Sequence, residues 1–363
     1  MIALFFRYIL KEIEHCPHLA GIVPAVYLIY TILTHEVTVM NRTTAATIPA
    51  APETKKPKKT KPSFLSRWNA PLAGYLFISP WLIGFLTLTA YPLFLSLYYS
   101  FTDYTLMKPM EWIGTRNYER IFTSDPKFVD SVKVTFTYVL ASVPLKLIAA
   151  LLVAMVLNKA IKGIGVYRTA IYFPSLIGGS IGVSLLWRNI FGVDGIFNKI
   201  IGVFGFEGKG WITSPDTALG TLILLTVWQF GSTMVIFLAG LKQIPNDLYE
   251  ASAVDGANKV TQFFKITMPM LSPILYFNLI MGVIGAFQMF TSAFVITNGG
   301  PMNATYVYAL YLYERAFSRY ELGYASALAW IMLVMIVLAT ILIFYTSKYW
   351  VFYETETGKG KRK

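Results

Sequence analysis

The 363-residue sequence holds a single cysteine, Cys16, and three histidines, His15, His18 and His35, all near its start. A disulfide scaffold and a cysteine-rich metal centre are thereby excluded, and so is a catalytic dyad within the body of the chain. His35 beside Glu36 reads as a pair at a segment end. Charge is scarce too: 14% of residues are Asp, Glu, Lys or Arg, against about 25% in a soluble globular domain. No Gly-x-x-x-x-Gly-Lys-Ser/Thr run occurs, so any ATP hydrolysis must come from another chain.

Apolar surface is what the chain has in quantity. Hydrophobic residues make up 55% of it and the mean hydropathy is +0.55. They gather in blocks near the ~20 residues that cross a hydrocarbon layer. Six such blocks cover 72–98, 132–157, 169–190, 218–240, 274–296 and 323–346, with no soluble domain between them. Backbone polar groups in lipid must be satisfied within the chain, so each block is expected to be helical and the fold class to be all-α. Tyr98-Tyr99, Trp187, Tyr345 and Trp350 suit the aromatic belt at block ends.

The net charge of +12 does not signal nucleic acid. Basic residues lie at the ends of apolar blocks, and nothing resembles a basic recognition helix. They mark orientation instead: the 42–68 linker, the 158–168 loop with Lys159, Lys162 and Arg168, the 241–273 loop and the tail with Lys348, Lys359, Lys361, Arg362 and Lys363 are expected to be cytoplasmic. The opposite loops are charge-balanced, 101–129 setting Lys108, Arg116, Arg120 and Lys127 against Asp103, Glu111, Glu119 and Asp125, and 313–322 setting Arg315 and Arg319 against Glu314 and Glu321. Residues 42–67, with Pro49, Pro52, Pro57, Pro62 and five lysines from Lys55 to Lys61, read as an extended cytoplasmic linker. Within residues 1–41, the apolar stretch 19–33 follows Arg7 and Lys11 and contains Pro24. It fits an additional span, an interfacial helix or a docking helix, and lacks a convincing signal-peptide cleavage site.

The loop 245–273 carries the most specific pattern. Pro245-Asn246-Asp247 offers a turn and an N-cap, 248–254 can form two helical turns, and Gly256 permits a sharp change of direction. A second amphipathic helix, 257–267, would bring Val260, Phe263, Phe264, Ile266 and Thr267 near one surface before Pro269 and Pro273 end it. Two short helices joined by a bend make a rigid knob. A plain interfacial helix is the simpler alternative, but it leaves unexplained the bend between small residues at 251–253 and aromatics at 263–264.

This segment resembles the cytoplasmic "EAA" loop of binding-protein-dependent ABC importer permeases, in which E-A-A-x-x-D-G-A is followed by a phenylalanine, an isoleucine and L-P-x-L-x-P. Glu250, Ala251, Asp255, Gly256, Ala257, Phe263, Ile266, Pro269, Leu271 and Pro273 match it, while Ser252 and Met268 depart from it. The resemblance covers roughly 68–350 and implies a six-helix, type I, MetI-like transmembrane domain. It implies that Glu250, Ala251, Asp255, Gly256, Ala257, Phe263, Phe264 and Pro269 couple to a dimer of cytoplasmic ABC ATPase subunits. It further implies Mg-ATP bound in those partners and no cofactor in this chain, a second homologous permease, and an extracytoplasmic solute-binding protein.

Pro80-Trp81-Leu82-Ile83-Gly84-Phe85, Tyr91-Pro92, Phe101-Thr102-Asp103-Tyr104, Trp112-Ile113-Gly114, Asn117-Tyr118 and Asn298-Gly299-Gly300-Pro301 are similar to the oligosaccharide-uptake, MalF/UgpA-like branch. Oligosaccharide import is the expectation, with a permease for another small solute such as glycerol phosphate as the alternative. Trp228, Gln229, Ser232, Thr233, Asn278, Phe287, Gln288, Thr291 and Ser292 are candidates for a passage wall, because polar groups in hydrocarbon favour facing protein or water. Gln229 with Thr233, and Gln288 with Ser292, are four apart and share a helical face. Interhelical hydrogen bonding is an equal alternative for each polar residue, and packing is the simpler reading of Trp228 and Phe287. Gly178 and Gly182 read as a close helix contact. A membrane enzyme would need catalytic groups clustered at one depth, and a secondary transporter an internal repeat or an ion-coupling carboxylate. Neither is evident.

Overall fold

The computed structural model describes residues 75, 77–159 and 163–352. The expectations for 1–41, for 42–67 and its continuation to 74, for Lys162 in the 158–168 loop, and for the tail 353–363 lie outside the described residues. The chain divides into Met1–Phe77 and Ile78–Lys363, and the architecture below is that of the second unit.

Among the described residues, four helices are long and apolar enough to cross a membrane: α1 (Phe77–Ser100), α3 (Pro126–Leu157), α10 (Lys259–Phe287) and α12 (Leu322–Trp350). Two helix pairs are apolar and long enough only when taken together, α4 (Ile164–Ile177) with α5 (Ile181–Ile190) bent by 101° and α7 (Pro215–Trp228) with α8 (Gly231–Leu241) bent by 44°, which gives up to six spans if each pair is one. Shorter helices are α2 (Arg116–Thr123), α6 (Ile196–Val203), α9 (Asn246–Val254) and α11 (Tyr308–Tyr313). Among the described residues there is no extended strand, only isolated bridges such as Thr102 with Trp112.

The centre of the bundle is α3, which packs against α7, α8, α10 and α11. Its start is set by Asp125, whose carboxylate accepts from the Lys127 amide at 3.1 Å, and by Pro126 in the first turn, where a missing N–H costs nothing. Ala150, Ala154, Leu222, Leu225, Met234, Phe237 and Leu271 are buried around it. Small residues bring the backbones close: at Gly240 an added methyl would run into Ile274 and Leu271 on α10. α1 and α12 pair at the periphery, where Trp330 Nε1 donates to Ser96 Oγ at 3.2 Å. Their outer faces leave Leu88, Phe94, Leu338 and Leu342 exposed, a surface that lipid solvates.

Three expectations change. The block 169–190 is not a straight span, because the helix breaks at Gly178–Gly179 and turns through 101°. The chain between 298 and 321 is not a plain loop: α11 continues into a π turn, Glu314–Ser318, and its side chains are among the most buried in the protein. Pro269 and Pro273 do not end the second helix of the 245–273 segment, since α10 runs unbroken from Lys259 through both. A π turn at Phe263–Thr267 precedes Pro269, with the Met268 amide bonded to the Phe263 carbonyl, so the ring enters a locally widened turn. Ser272 Oγ then donates to the Pro269 carbonyl at 2.6 Å, occupying the acceptor that Pro273 leaves unused. The Phe352 amide in turn donates to Ser272 Oγ at 2.8 Å, docking the chain after α12 beside α10.

The loops at the end of the bundle opposite α9 lock to each other. The Asn117 amide donates to the Ser100 and Thr102 carbonyls at 2.9 and 3.0 Å, and the Gly323 amide donates to the Tyr104 carbonyl at 2.9 Å. Gly323 lies so near Thr102 and Tyr104 that a side chain would strike their backbone. Arg315 forms ion pairs of 2.9 Å with both Asp125 and Glu321, and Tyr311 and Tyr324 donate to Asp125. Arg120 lies 3.6 Å from Glu321 and Lys127 3.7 Å from Glu314. The charge balance of the two loops is thus satisfied largely between loops.

Candidate functional site

Three helix breaks meet at one cavity. The chain leaves helical geometry at 178–180, at 229–230 and at 288–290. Gly178, Gly179, Gln229, Gln288, Met289, Phe290, Thr291 and Ser292 all line the same space of about 400 Å³. Irregular backbone at membrane depth is stable only where protein or a water-filled cavity satisfies it, and these breaks obey that rule. Gln229 Nε2 donates to the Gly178 carbonyl at 2.8 Å, Ser175 Oγ donates to the Gln229 carbonyl at 3.2 Å, and the Ser232 amide donates to Ser175 Oγ at 3.1 Å. The third and fourth spans are therefore pinned together at their bends.

Gly178 is needed for close approach, though not as part of a Gly-x-x-x-Gly face. A methyl there would collide with the Gln229 side chain, whereas one at Gly182 would meet only the Ser180 hydroxyl at 3.9 Å, and Gly182 lies beyond the break. Gln229 with Thr233, and Gln288 with Ser292, do not share the face of one unbroken helix, since a break falls within each pair. Gln229 and Gln288 instead cap the C-termini of α7 and α10, and all four still reach the cavity because the chain turns there.

Thr233, Asn278, Gln288, Thr291 and Ser292 line the cavity with Gln229. Asn278 is buried, and its amide donates to the Ile274 carbonyl at 2.9 Å. Trp228 and Phe287 do not join them. Trp228 packs on Trp187, ring centroids 5.7 Å apart, and Phe287, 2% exposed, meets Phe136 edge-on at 5.2 Å. Ser232 also lies outside the wall. Sequence reading missed Tyr138 and Thr226, whose hydroxyls bond to each other in the wall, and Lys146, the only charged residue in it among the described residues. Lys146 was findable, being the lone charge in the apolar run 134–157.

The second feature is the knob between α8 and α10. α9 ends in a left-handed residue, Gly256, at φ +79°. The Gly256 amide bonds to the Ala253 carbonyl at 3.0 Å and the Ala257 amide to the Ser252 carbonyl at 2.9 Å, the paired bonds of a Schellman stop. Asn258 Oδ1 then accepts from the Thr261 amide at 2.8 Å and starts α10. The expected cap from Asn246 or Asp247 does not form; Pro245 occupies that position without a side-chain bond.

The knob is tied across its bend by residues that the sequence reading did not weigh. Gln262 Nε2 donates to the Tyr249 carbonyl at 3.1 Å and to Ser252 Oγ at 3.0 Å, and the Tyr249 and Thr267 hydroxyls are 2.9 Å apart. The serine at 252, a departure from the motif, is thus an acceptor in this tie. Glu250, Ala251, Asp255, Gly256 and Phe264 are exposed, while Ala257, Phe263 and Pro269 are partly covered. Val254, Val260 and Phe264 present apolar surface outward, 89%, 65% and 65% exposed. A knob with capped helix ends and internal bonds resists deformation, and its tip presents apolar side chains that stay exposed among the described residues.

Comparison with known proteins agrees with this geometry. Residues 121–350 match the family described as binding-protein-dependent transport system inner membrane component. A probable ABC transporter permease, YesP of Bacillus subtilis (strain 168), is 54% identical over 78% of this chain and 93% of its own length. A probable starch degradation products transport system permease, AmyD of Thermoanaerobacterium thermosulfurigenes, is 34% identical over 76% of this chain and 94% of its own. In fold, the chain is similar to one from a bacterial alginate ABC transporter solved in complex with an alginate pentasaccharide-bound periplasmic protein, with TM-score 0.69, 20% identity, and coverage of 78% of this chain and 96% of that one. The chain therefore belongs to the family of inner-membrane components of binding-protein-dependent transport systems and is a multi-pass transport permease.

Proposed function

We propose that the protein is one of two permease subunits of an ATP-driven oligosaccharide importer. The observation that carries this reading is the convergence of three helix breaks on a cavity rich in amide and hydroxyl groups. Gln229, Asn278 and Gln288, with Thr226, Thr233, Thr291 and Ser292, offer donors and acceptors suited to sugar hydroxyls without a fixed reactive geometry. Relatives named for starch degradation products and arabinooligosaccharides support the substrate class.

In this reading the knob faces the cytoplasm, where the basic loops also lie, and enters a cleft on an ABC ATPase. Glu250, Asp255 and Gly256 dock and bend, and Phe263 and Phe264 pack against the partner. Mg-ATP binds between the partner ATPases. An extracytoplasmic binding protein delivers solute to the opposite end, and a homologous permease completes the route. Because α10 is continuous from the knob to the cavity at Gln288, a push on α9 reaches the cavity wall along one rigid helix. The ATPases need only change a two-state packing equilibrium by a few kcal/mol.

The test is purification of the complete assembly followed by reconstitution. ATP-dependent uptake of oligosaccharides that also requires a binding protein is expected. An assembly that lacks an ATP-hydrolysing chain, or cysteine labelling that places 245–270 on the outer face, would overturn the reading.

A further inference from the structure

Lys146 stands apart from every other charge in the described structure. It lies on α3 midway along the apolar run 134–157, twelve residues from one end and eleven from the other. At 1.5 Å per residue that is about 17 Å from either end, farther than a lysine side chain can extend to reach interfacial water. It takes part in none of the ion pairs found among the described residues, which all cluster at Asp125, Glu314 and Glu321. Among the described residues no carboxylate lines the cavity whose wall it joins. An intramembrane ammonium is costly without a counter-charge and marks function by default.

We propose that Lys146 is the counter-ion for a carboxylate on the transported saccharide, so that this permease favours oligosaccharides containing a uronic acid over neutral ones. The inference rests on the oligosaccharide reading above and names the substrate class of the same cavity. The neutral wall groups match the hydroxyls of a sugar, and one cation matches one carboxylate. A phosphate ester carries close to two negative charges near neutral pH and favours an arginine fork or several donors of positive charge. The wall holds a single lysine, so a monoanion fits better than a phosphorylated solute. Lysine also acts as a point charge without a required approach plane, which suits a ligand that must leave as well as bind.

The experiment uses the complete importer in proteoliposomes at saturating binding protein. Uptake is measured for a galacturonate-containing disaccharide and for its methyl ester, which removes only the charge. The comparison is between wild type, Lys146→Met, Lys146→Gln and Lys146→Arg, each checked for assembly with its partners. The two neutral replacements should lower uptake of the free acid by about tenfold while leaving the ester within about twofold, and arginine should retain most of the difference. Equal losses for acid and ester would overturn the proposal, since they would show that Lys146 serves assembly, a partner carboxylate or lipid. Unchanged uptake of both would overturn it as well. If neither sugar form, nor neutral oligosaccharides, were taken up by wild type with ATP, the importer reading itself would fail. ATP-driven uptake of neutral oligosaccharides by wild type with no preference for the free acid over its ester would remove only the counter-ion role.

Discussion

Gln262 reaches back across the bend of the knob to the Tyr249 carbonyl, 3.1 Å away, so the first turn of α10 is tied to the middle of α9. Its second bond, to Ser252 Oγ at 3.0 Å, makes the tie two-pronged. Each such bond is worth about 1 kcal/mol, enough to stiffen a local hinge and too little to govern the whole bundle. Gln262→Ala should leave membrane insertion and assembly intact and lower solute-stimulated uptake several-fold while basal ATP hydrolysis persists. The ratio of sugar transported to ATP hydrolysed is the measurement, and an unchanged ratio would remove Gln262 from coupling.

Gly256 tests the same element from the backbone. At φ +79° a β-branched side chain is strained by about 1–2 kcal/mol, although no neighbouring atom fills the space. Gly256→Val should therefore distort the bend and depress stimulated ATP hydrolysis and uptake together. Gly256→Asn, which tolerates the left-handed region, should do so much less. Equal activity of the two variants would deny the bend its role.

At the cavity, Gly178 and Gln229 form a contact that a single methyl would obstruct. Gly178→Val should displace the Gln229 amide from the Gly178 carbonyl and impair transport without weakening association with the ATPase. The double replacement Gln229→Ala with Gln288→Ala should change uptake of several sugars, read as altered KM or rate. Identical kinetics across them would take both side chains out of the route.

The buried pair Asp125–Arg315 should hold together the loops opposite the knob. Asp125→Ala leaves Arg315 with Glu321 as its one carboxylate among the described residues and should destabilise the protein by about 3 kcal/mol, visible as a lower Tm in detergent. A pH effect follows from the same site. Burial pushes the Asp125 carboxyl up, but hydrogen bonds from Tyr311 and Tyr324 and the Arg315 charge outweigh it and hold it below its ordinary value. A depressed carboxylate contributes stability that is present above its unfolded value of about 4 and is lost as pH falls through the lower native value. The Tm of wild type should therefore drop in that acid range, and Asp125→Asn should flatten the drop. An acid limb unchanged in the variant would assign the effect to other groups.

Ser272 bridges two helices with one hydroxyl, donating to the Pro269 carbonyl and accepting from the Phe352 amide. Ser272→Ala should cost about 1–2 kcal/mol, through the two backbone groups it leaves without this partner, the Pro269 carbonyl and the Phe352 amide. Hydrogen exchange at the Phe352 amide should rise, and unchanged protection there would show that the bridge does not hold the segment.

Some of this was legible from residue type alone. Gly256 announced a bend because few residues other than glycine adopt positive φ, and the aromatics after it announced a second helix. Gln229, Thr233, Asn278 and Gln288 stood out as polar groups in hydrocarbon, and the cavity does hold them together. Gln262 and Tyr249 did not stand out, because a glutamine on a short surface helix looks solvated until its partner across the bend is known. Pro269 and Pro273 looked like helix terminators since the π turn and the Ser272 hydroxyl that accommodate them depend on local geometry.

Local chemistry thus determined the lipid-facing character of this chain, the number and order of its apolar blocks, and the bent knob, because hydropathy, turn residues and helix stops act over short stretches. The tertiary structure alone decided that three helix breaks face one cavity, that Lys146 joins its wall outside every ion pair found among the described residues, and that Arg315 closes on Asp125, 190 positions away along the chain. Those outcomes depend on which backbone carbonyls and charges meet after the helices have packed, and distances of that kind are not written in any single segment.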